Sequence, residues 1–225
     1  MGFANINGFN TDQAAGSGPR EALLLIDLIT DFEFEDGEQL YRSTRKIIPA
    51  VAELKRRAKR AGLPVIYVND EFDETDGEVC SLIRHVRSSS EQGSEILSYI
   101  EPDDDYFVAK PQRSGFYATS LGVLLLSMGV SKIVIAGVTT DICVLFTAHD
   151  AYMRGYEVAV PKDTSTAVRS EFHNDGIKLI ERVADADISP AKDLEFETRG
   201  TNLGDDLIVS RYQIGGTAFA APSGA

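Results

Sequence analysis

The chain has 225 residues, 43% of them hydrophobic and 25% charged, the balance of an ordinary globular fold with enough apolar material for one sizeable core. Its 22 Lys and Arg stand against 35 Asp and Glu, a net charge of −13, and that field repels phosphate backbones and anionic lipid, so neither nucleic acid nor a membrane surface is an expected partner. Only Cys80 and Cys143 occur, in segments of different character, which gives no support to a disulfide framework and fits a reducing cytoplasm.

Residues 1–20 are rich in Gly, Asn and Ala without periodicity and read as a leader; they contain no apolar core of a signal peptide. Leu23, Leu24, Leu25 and Ile26 are apolar on both faces, the pattern of a strand buried in a parallel sheet, and the run stops at Asp27. Ile47, Ile48, Val51, Leu54 and Ala58 recur at helical spacing, predicting a helix over 41–60 that Gly62-Leu63-Pro64 closes. A second strand follows over Val65 to Val68. Residues 69–93 read as a long loop, with a short helix around Val79 to Val86.

Tyr106 to Ala109 predicts a third strand ending at Lys110, and Leu121 to Met128 a helix stopped by Gly129. Ile133 to Ala136 is the fourth strand. Beyond Gly137, Val144, Leu145, Ala148 and Tyr152 share one face of a helix that Gly155 ends. Glu157 to Val160 predicts a fifth strand, Ser170 to Ala184 a helix, and Ala186 to Ile188 a short sixth strand. Such alternation implies a three-layer α/β/α architecture, a doubly wound and mostly parallel six-stranded sheet of Rossmann-like type, over residues 21–190, with 191–225 as a tail against a neighbouring subunit.

In open α/β sheets function gathers at the carboxyl ends of strands, and three reactive groups fall there: Asp27, Lys110 and Cys143. In the common doubly wound order, strands one and four are neighbours at the switch point, and one crevice holds all three. Cys143 is expected in the first turn of its helix, with Thr140 as N-cap, where the helix terminus and the Lys110 charge favour the thiolate. Asp27 is then placed to take the thiol proton and return it to a leaving amine.

The stretches LLLIDLITDF (23–32), VIYVND (65–70), FVAKPQRSGFYAT (107–119) and GVTTDICV (137–144) occur in this order, each in the strand context just described. On them the chain resembles the isochorismatase-like cysteine hydrolases. That resemblance implies an Asp27-Lys110-Cys143 triad and a cis peptide between Val138 and Thr139. It also implies an oxyanion hole built from the N–H groups of Thr139 and Cys143, and a substrate pocket lined by Phe32, Asn69, Phe116 and Thr140. The implied reaction is hydrolysis of a carbon–nitrogen bond in a small amide, carbamoyl or ureido compound, by a protein that assembles as a dimer or tetramer.

Nicotinamidases of the family hold a metal through an Asp-x-His motif; the corresponding stretch here is Asp70-Glu71-Phe72, without the imidazole, so neither metal nor cofactor is expected. His85, His149 and His173 lack the spacing of a metal pair and are expected to be structural or exposed, while Arg84, Arg87 and Arg113 are candidates for meeting a substrate carboxylate. Two rival readings keep the fold: an ether hydrolase that uses Asp27 with the thiol incidental, and a degenerate member that binds a metabolite without turnover.

Overall fold

A computed structural model describes residues 20–71 and 79–196. Five strands lie side by side in the order β3-β2-β1-β4-β5: β1 (Glu21–Ile26), β2 (Val65–Asp70), β3 (Tyr106–Lys110), β4 (Lys132–Val138) and β5 (Glu157–Ala159). The two-residue β6 (Ser165–Thr166) pairs with the end of β4, and every ladder is parallel.

The apolar run in β1 feeds both sides of the sheet. Leu23 and Leu25 point into one core with Val65 and Tyr67 of β2, and against this face pack α1 (Gly37–Arg60), α2 (Val79–Ser89) and α3 (Glu91–Ile100). Ala22, Leu24 and Ile26 point into the other core with Ile66 and Val68, covered by α4 (Leu121–Ser127), α5 (Leu145–Met153) and α6 (Ser170–Ala184). Alternate residues of each strand thus serve opposite faces, which is why the strand shows no alternation of polarity and why both faces need helices. The three-layer α/β/α fold follows directly.

Two elements differ from the sequence reading. The expected sixth strand at Ala186–Ile188 is reduced to an isolated bridge, Asp187 with Ala159, and the sixth strand is Ser165–Thr166 instead. The 186–188 run is too short to propagate a ladder beyond β5, which itself has three residues, whereas 165–166 is steered onto β4 by the Gly137 N–H donating to the Thr164 carbonyl. The short helix expected around Val79 to Val86 is α2, but the loop read up to Gly93 gives way earlier to α3, whose start is fixed by Ser90: its hydroxyl accepts from the Gly93 N–H at 3.0 Å. Ile96, Leu97 and Ile100 then bury the inner face of α3.

The leader at 1–20 lies outside the described residues apart from Arg20, and most of the tail, 197–225, lies outside them as well. The described start of the tail runs back over α1, where Arg57 Nη1 donates to the Ala191 carbonyl at 2.5 Å and its guanidinium stacks on Phe196.

Candidate active site

Chain order reverses beside β1, because β2 and β3 extend the sheet to one side of it and β4 and β5 to the other. The carboxyl ends are flush. Ile26 is level with Val68 on one side and Gly137 on the other, and Asp70 is level with Lys110. Asp27 leaves the sheet in a left-handed conformation, φ 51°, while its N–H still donates to the Val68 carbonyl. That turn carries its carboxylate across the strand ends instead of onward along β1.

The three expected reactive groups meet here. Lys110, wholly buried, places Nζ 2.9 Å from Asp27 Oδ2 and 3.6 Å from Cys143 Sγ. Asp27 Oδ1 accepts the Asp70 N–H at 2.9 Å. A fourth group completes the cluster, because the Asp70 carboxylate is ion-paired with the same Lys110 ammonium. Sequence reasoning considered Asp70 only as a metal-motif remnant, although it ends a strand just as Asp27 does and the same criterion would have selected it.

Burial pushes the Asp27 carboxyl up to about 6; Lys110 pulls against that shift and Asp70 adds to it. Burial likewise pushes the Cys143 thiol up, and the Asp27 charge adds to the rise while Lys110 opposes it. For Lys110 burial disfavours the charge, but Asp27, Cys143 and Asp70 together outweigh it and hold the ammonium's pKa above the ordinary value. Lys110 thus favours the thiolate in the sense the sequence predicts, but burial and then the Asp27 charge outweigh it, and the net direction of the thiol pKa is upward.

Cys143 sits in a π-helical turn, Thr140–Val144, which runs directly into α5. The peptide between Val138 and Thr139 is cis. Thr140 is not the N-cap: that position belongs to Thr139, whose side chain makes no capping bond but whose carbonyl accepts from the N–H groups of Ile142 and Val144. Thr140 is fully buried, its Oγ1 2.9 Å from His173 Nδ1 of α6, so it braces the loop from below and presents no open hydroxyl. Gly176, one turn along α6, brings the helix against the backbone of Asp141 so closely that a Cβ would lie 3.1 Å from the Asp141 N and Cα.

The remaining expected pocket residues are spread more widely. Phe32 is buried edge-on against Tyr41 and borders a concavity of about 590 Å³ with Glu33, Phe34, Glu38 and the residues joining α2 to α3; none of the triad lines it. Asn69 is buried beside the cluster, its Nδ2 donating to the Ile29 carbonyl at 2.9 Å. Phe116 belongs to the core, stacked on Tyr156 and covered by the Arg154 guanidinium. Of the arginines, Arg87 pairs with Glu101 at 2.6 Å, and Arg84 and Arg113 are exposed. His85 contacts Asp31 at 3.1 Å, and His149 is part-buried on α5.

Residues 21–188 match the family model described as the isochorismatase domain. The chain belongs to the isochorismatase family. Among curated members of that family, the uncharacterized isochorismatase family protein YaaI of Bacillus subtilis (strain 168) is 38% identical, over 75% of this chain and 93% of its own. A protein of Arabidopsis thaliana named as a probable inactive nicotinamidase is 34% identical, over 69% of this chain and 85% of its own. Among solved isochorismatase-family structures, N-carbamoylsarcosine amidase from Thermoplasma acidophilum superposes with a TM-score of 0.62 and 31% identity, covering 78% of this chain and 99% of that one. The family match thus spans all six strands and every residue of the Asp27, Asp70, Lys110 and Cys143 cluster.

Proposed function

We propose that this isochorismatase-family protein hydrolyses a carbon–nitrogen bond in a small amide, carbamoyl or ureido compound through a thioester on Cys143. The observation that carries the reading is the buried Lys110 ammonium, held 2.9 Å from the Asp27 carboxylate and 3.6 Å from the thiol. A base, a nucleophile and a fixed positive charge converge there on one point.

In the first half-reaction the Asp27 carboxylate takes the thiol proton as Sγ adds to the carbonyl carbon. The Thr139 and Cys143 N–H groups serve the oxyanion, and Asp27 passes the proton to the departing nitrogen as the C–N bond breaks. In the second half-reaction Asp27 takes a proton from water, the hydroxyl adds to the thioester carbon, and the thiol is regenerated as the acid leaves. Lys110 stays protonated throughout and offsets the negative charge that moves between oxygen and sulfur. A base with a pKa of about 6 suits both roles, ionised at neutral pH and yet able to carry a proton briefly. The solved relative named as an N-carbamoylsarcosine amidase supports the carbamoyl class.

A second reading, a family member that binds a metabolite without turnover, is favoured by the raised thiol pKa and by the Arabidopsis relative's name. An ammonia-release screen over small amides, carbamates and ureas, run beside Cys143→Ala, separates the two. Turnover lost in the variant, with an acyl adduct on Cys143 in acid-quenched intact mass, is expected; equal turnover by variant and wild type, or none by either, would overturn the proposal.

A further inference from the structure

The triad accounts for three of the four groups in the cluster, and Asp70 is left over. Its placement is specific. It closes β2 level with Lys110 of β3, its backbone N–H holds Asp27 Oδ1 at 2.9 Å, and its own carboxylate is ion-paired with Lys110. One residue therefore touches both the base and the base's counter-charge. Lys110 is wholly enclosed whereas the Asp70 side chain is 69% exposed, so this carboxylate reaches a buried cation from the open side of the site.

We infer that Asp70 is a positioning residue of the hydrolysis, orienting Asp27 through its N–H and, by drawing on the Lys110 charge, keeping Asp27 a strong enough base to accept the thiol proton. The inference rests on the reaction read above for this site.

The two contacts act in opposite senses. The N–H favours the ionised form of Asp27 and fixes which oxygen faces Lys110, leaving Oδ2 for proton transfer. The carboxylate does the reverse, placing a second negative charge next to Asp27 and dividing the attraction of the single ammonium between two anions. Without it Lys110 would belong to Asp27 alone, and the carboxylate would become a weaker base toward the thiol. Among the described residues the groups that face Asp27 are Asp70 from β2, Lys110 from β3 and Cys143 from the π-helical turn, and the Asp70 charge disfavours ionisation of both Asp27 and the thiol.

The variants Asp70→Asn and Asp70→Ser keep the backbone N–H and remove the charge. Two profiles are read for each and for wild type: kcat/KM against pH on the substrate found by ammonia release, and the rate of Cys143 alkylation by iodoacetamide against pH, which needs no substrate. The acid limb of kcat/KM is expected to move to lower pH in both variants. With Asp27 at about 6, a downward move of roughly one unit raises the ionised fraction at pH 5 about fivefold, and activity there relative to the plateau rises with it. Alkylation at neutral pH is expected to become several-fold faster, because the thiol loses a neighbouring anion, and Asp70→Glu is expected to restore both profiles.

Superimposable profiles for wild type, Asp70→Asn and Asp70→Ser would overturn the inference even with Cys143-dependent turnover intact. The reverse result, no turnover by any form but an alkylation profile that moves with Asp70, would remove the proposed reaction and leave the charge coupling standing.

Discussion

Lys110→Met tests the electrostatics of the site through stability alone. The side chain lies fully inside the protein, and methionine keeps its length while removing the charge. Asp70, 69% exposed, can turn to water when its partner is lost, but Asp27, 14% exposed, cannot. Stranding one partner of a buried pair costs about 3–5 kcal/mol. For a domain of this size that corresponds to a fall in Tm of about 10 °C.

The loss should depend on pH, with a definite sign. Asp27 already has its pKa raised from 3.8 to about 6, and without Lys110's downward pull it rises further. A carboxyl raised on folding contributes stability that is fully present below its ordinary pKa and is lost as pH climbs through the folded value. In wild type that loss is complete a little above pH 6; in the variant it continues to higher pH. Lys110 stays charged across this range, its own pKa being raised, so the pH dependence belongs to Asp27. Urea unfolding at pH 5.5 and pH 8 should therefore show a gap between variant and wild type that widens at pH 8. An equal gap at both pH values, or a wider one at pH 5.5, would refute the reasoning.

If Asp27 is the base, kcat/KM should fall below a pKa of about 6, reaching about a tenth of its plateau at pH 5, and an acid limb near the ordinary 3.8 would show an unshifted carboxyl. Gly137→Ala should yield no folded protein in a solubility and circular-dichroism assay, because φ is 134° and an added Cβ would overlap the Ile26 carbonyl. Gly62→Ala, at φ 74° with nothing within 4 Å, should cost only the left-handed backbone strain of about 1–2 kcal/mol in a thermal melt. Ser90→Ala removes the cap on α3 and should lower stability by about 1 kcal/mol in urea unfolding, with the site's chemistry unchanged.

The fold was legible because burial on both faces leaves an unmistakable mark: β1 and β2 are apolar runs that meet an acid at Asp27 and Asp70, and β4 is an apolar run from Ile133 to Val138. The meeting of Asp27, Lys110 and Cys143 was legible for the same reason, since strand ends are easy to find and parallel order puts them on one edge. What depended on short segments was not. A two-residue strand at Ser165–Thr166 has no periodicity to detect, and α3 begins with Ser, Glu and Gln that read as loop until Ser90 is seen capping Gly93. The net direction of the thiol pKa was not legible because it depends on burial first and on the Asp27 charge second, which together outweigh the Lys110 charge that favours a thiolate. Phe116 shows the opposite limit, a residue whose motif suggested the pocket and whose ring is occupied by Tyr156 and Arg154.

The level pairing of Asp70 with Lys110 and of Ile26 with Val68 ties reactivity to alignment of the sheet. Side chains alternate faces along a strand, so sliding β3 by one residue against β2 would carry Lys110 to the opposite side and bring the β3 core side chain Val108 out of its own layer. The hydrophobic cores thereby act as the gauge that sets the Asp27 carboxylate against the Lys110 ammonium. The thiol is held separately, by the π-helical turn that α6 braces through His173 and Gly176, so strand alignment and helix packing must agree for the three groups to meet.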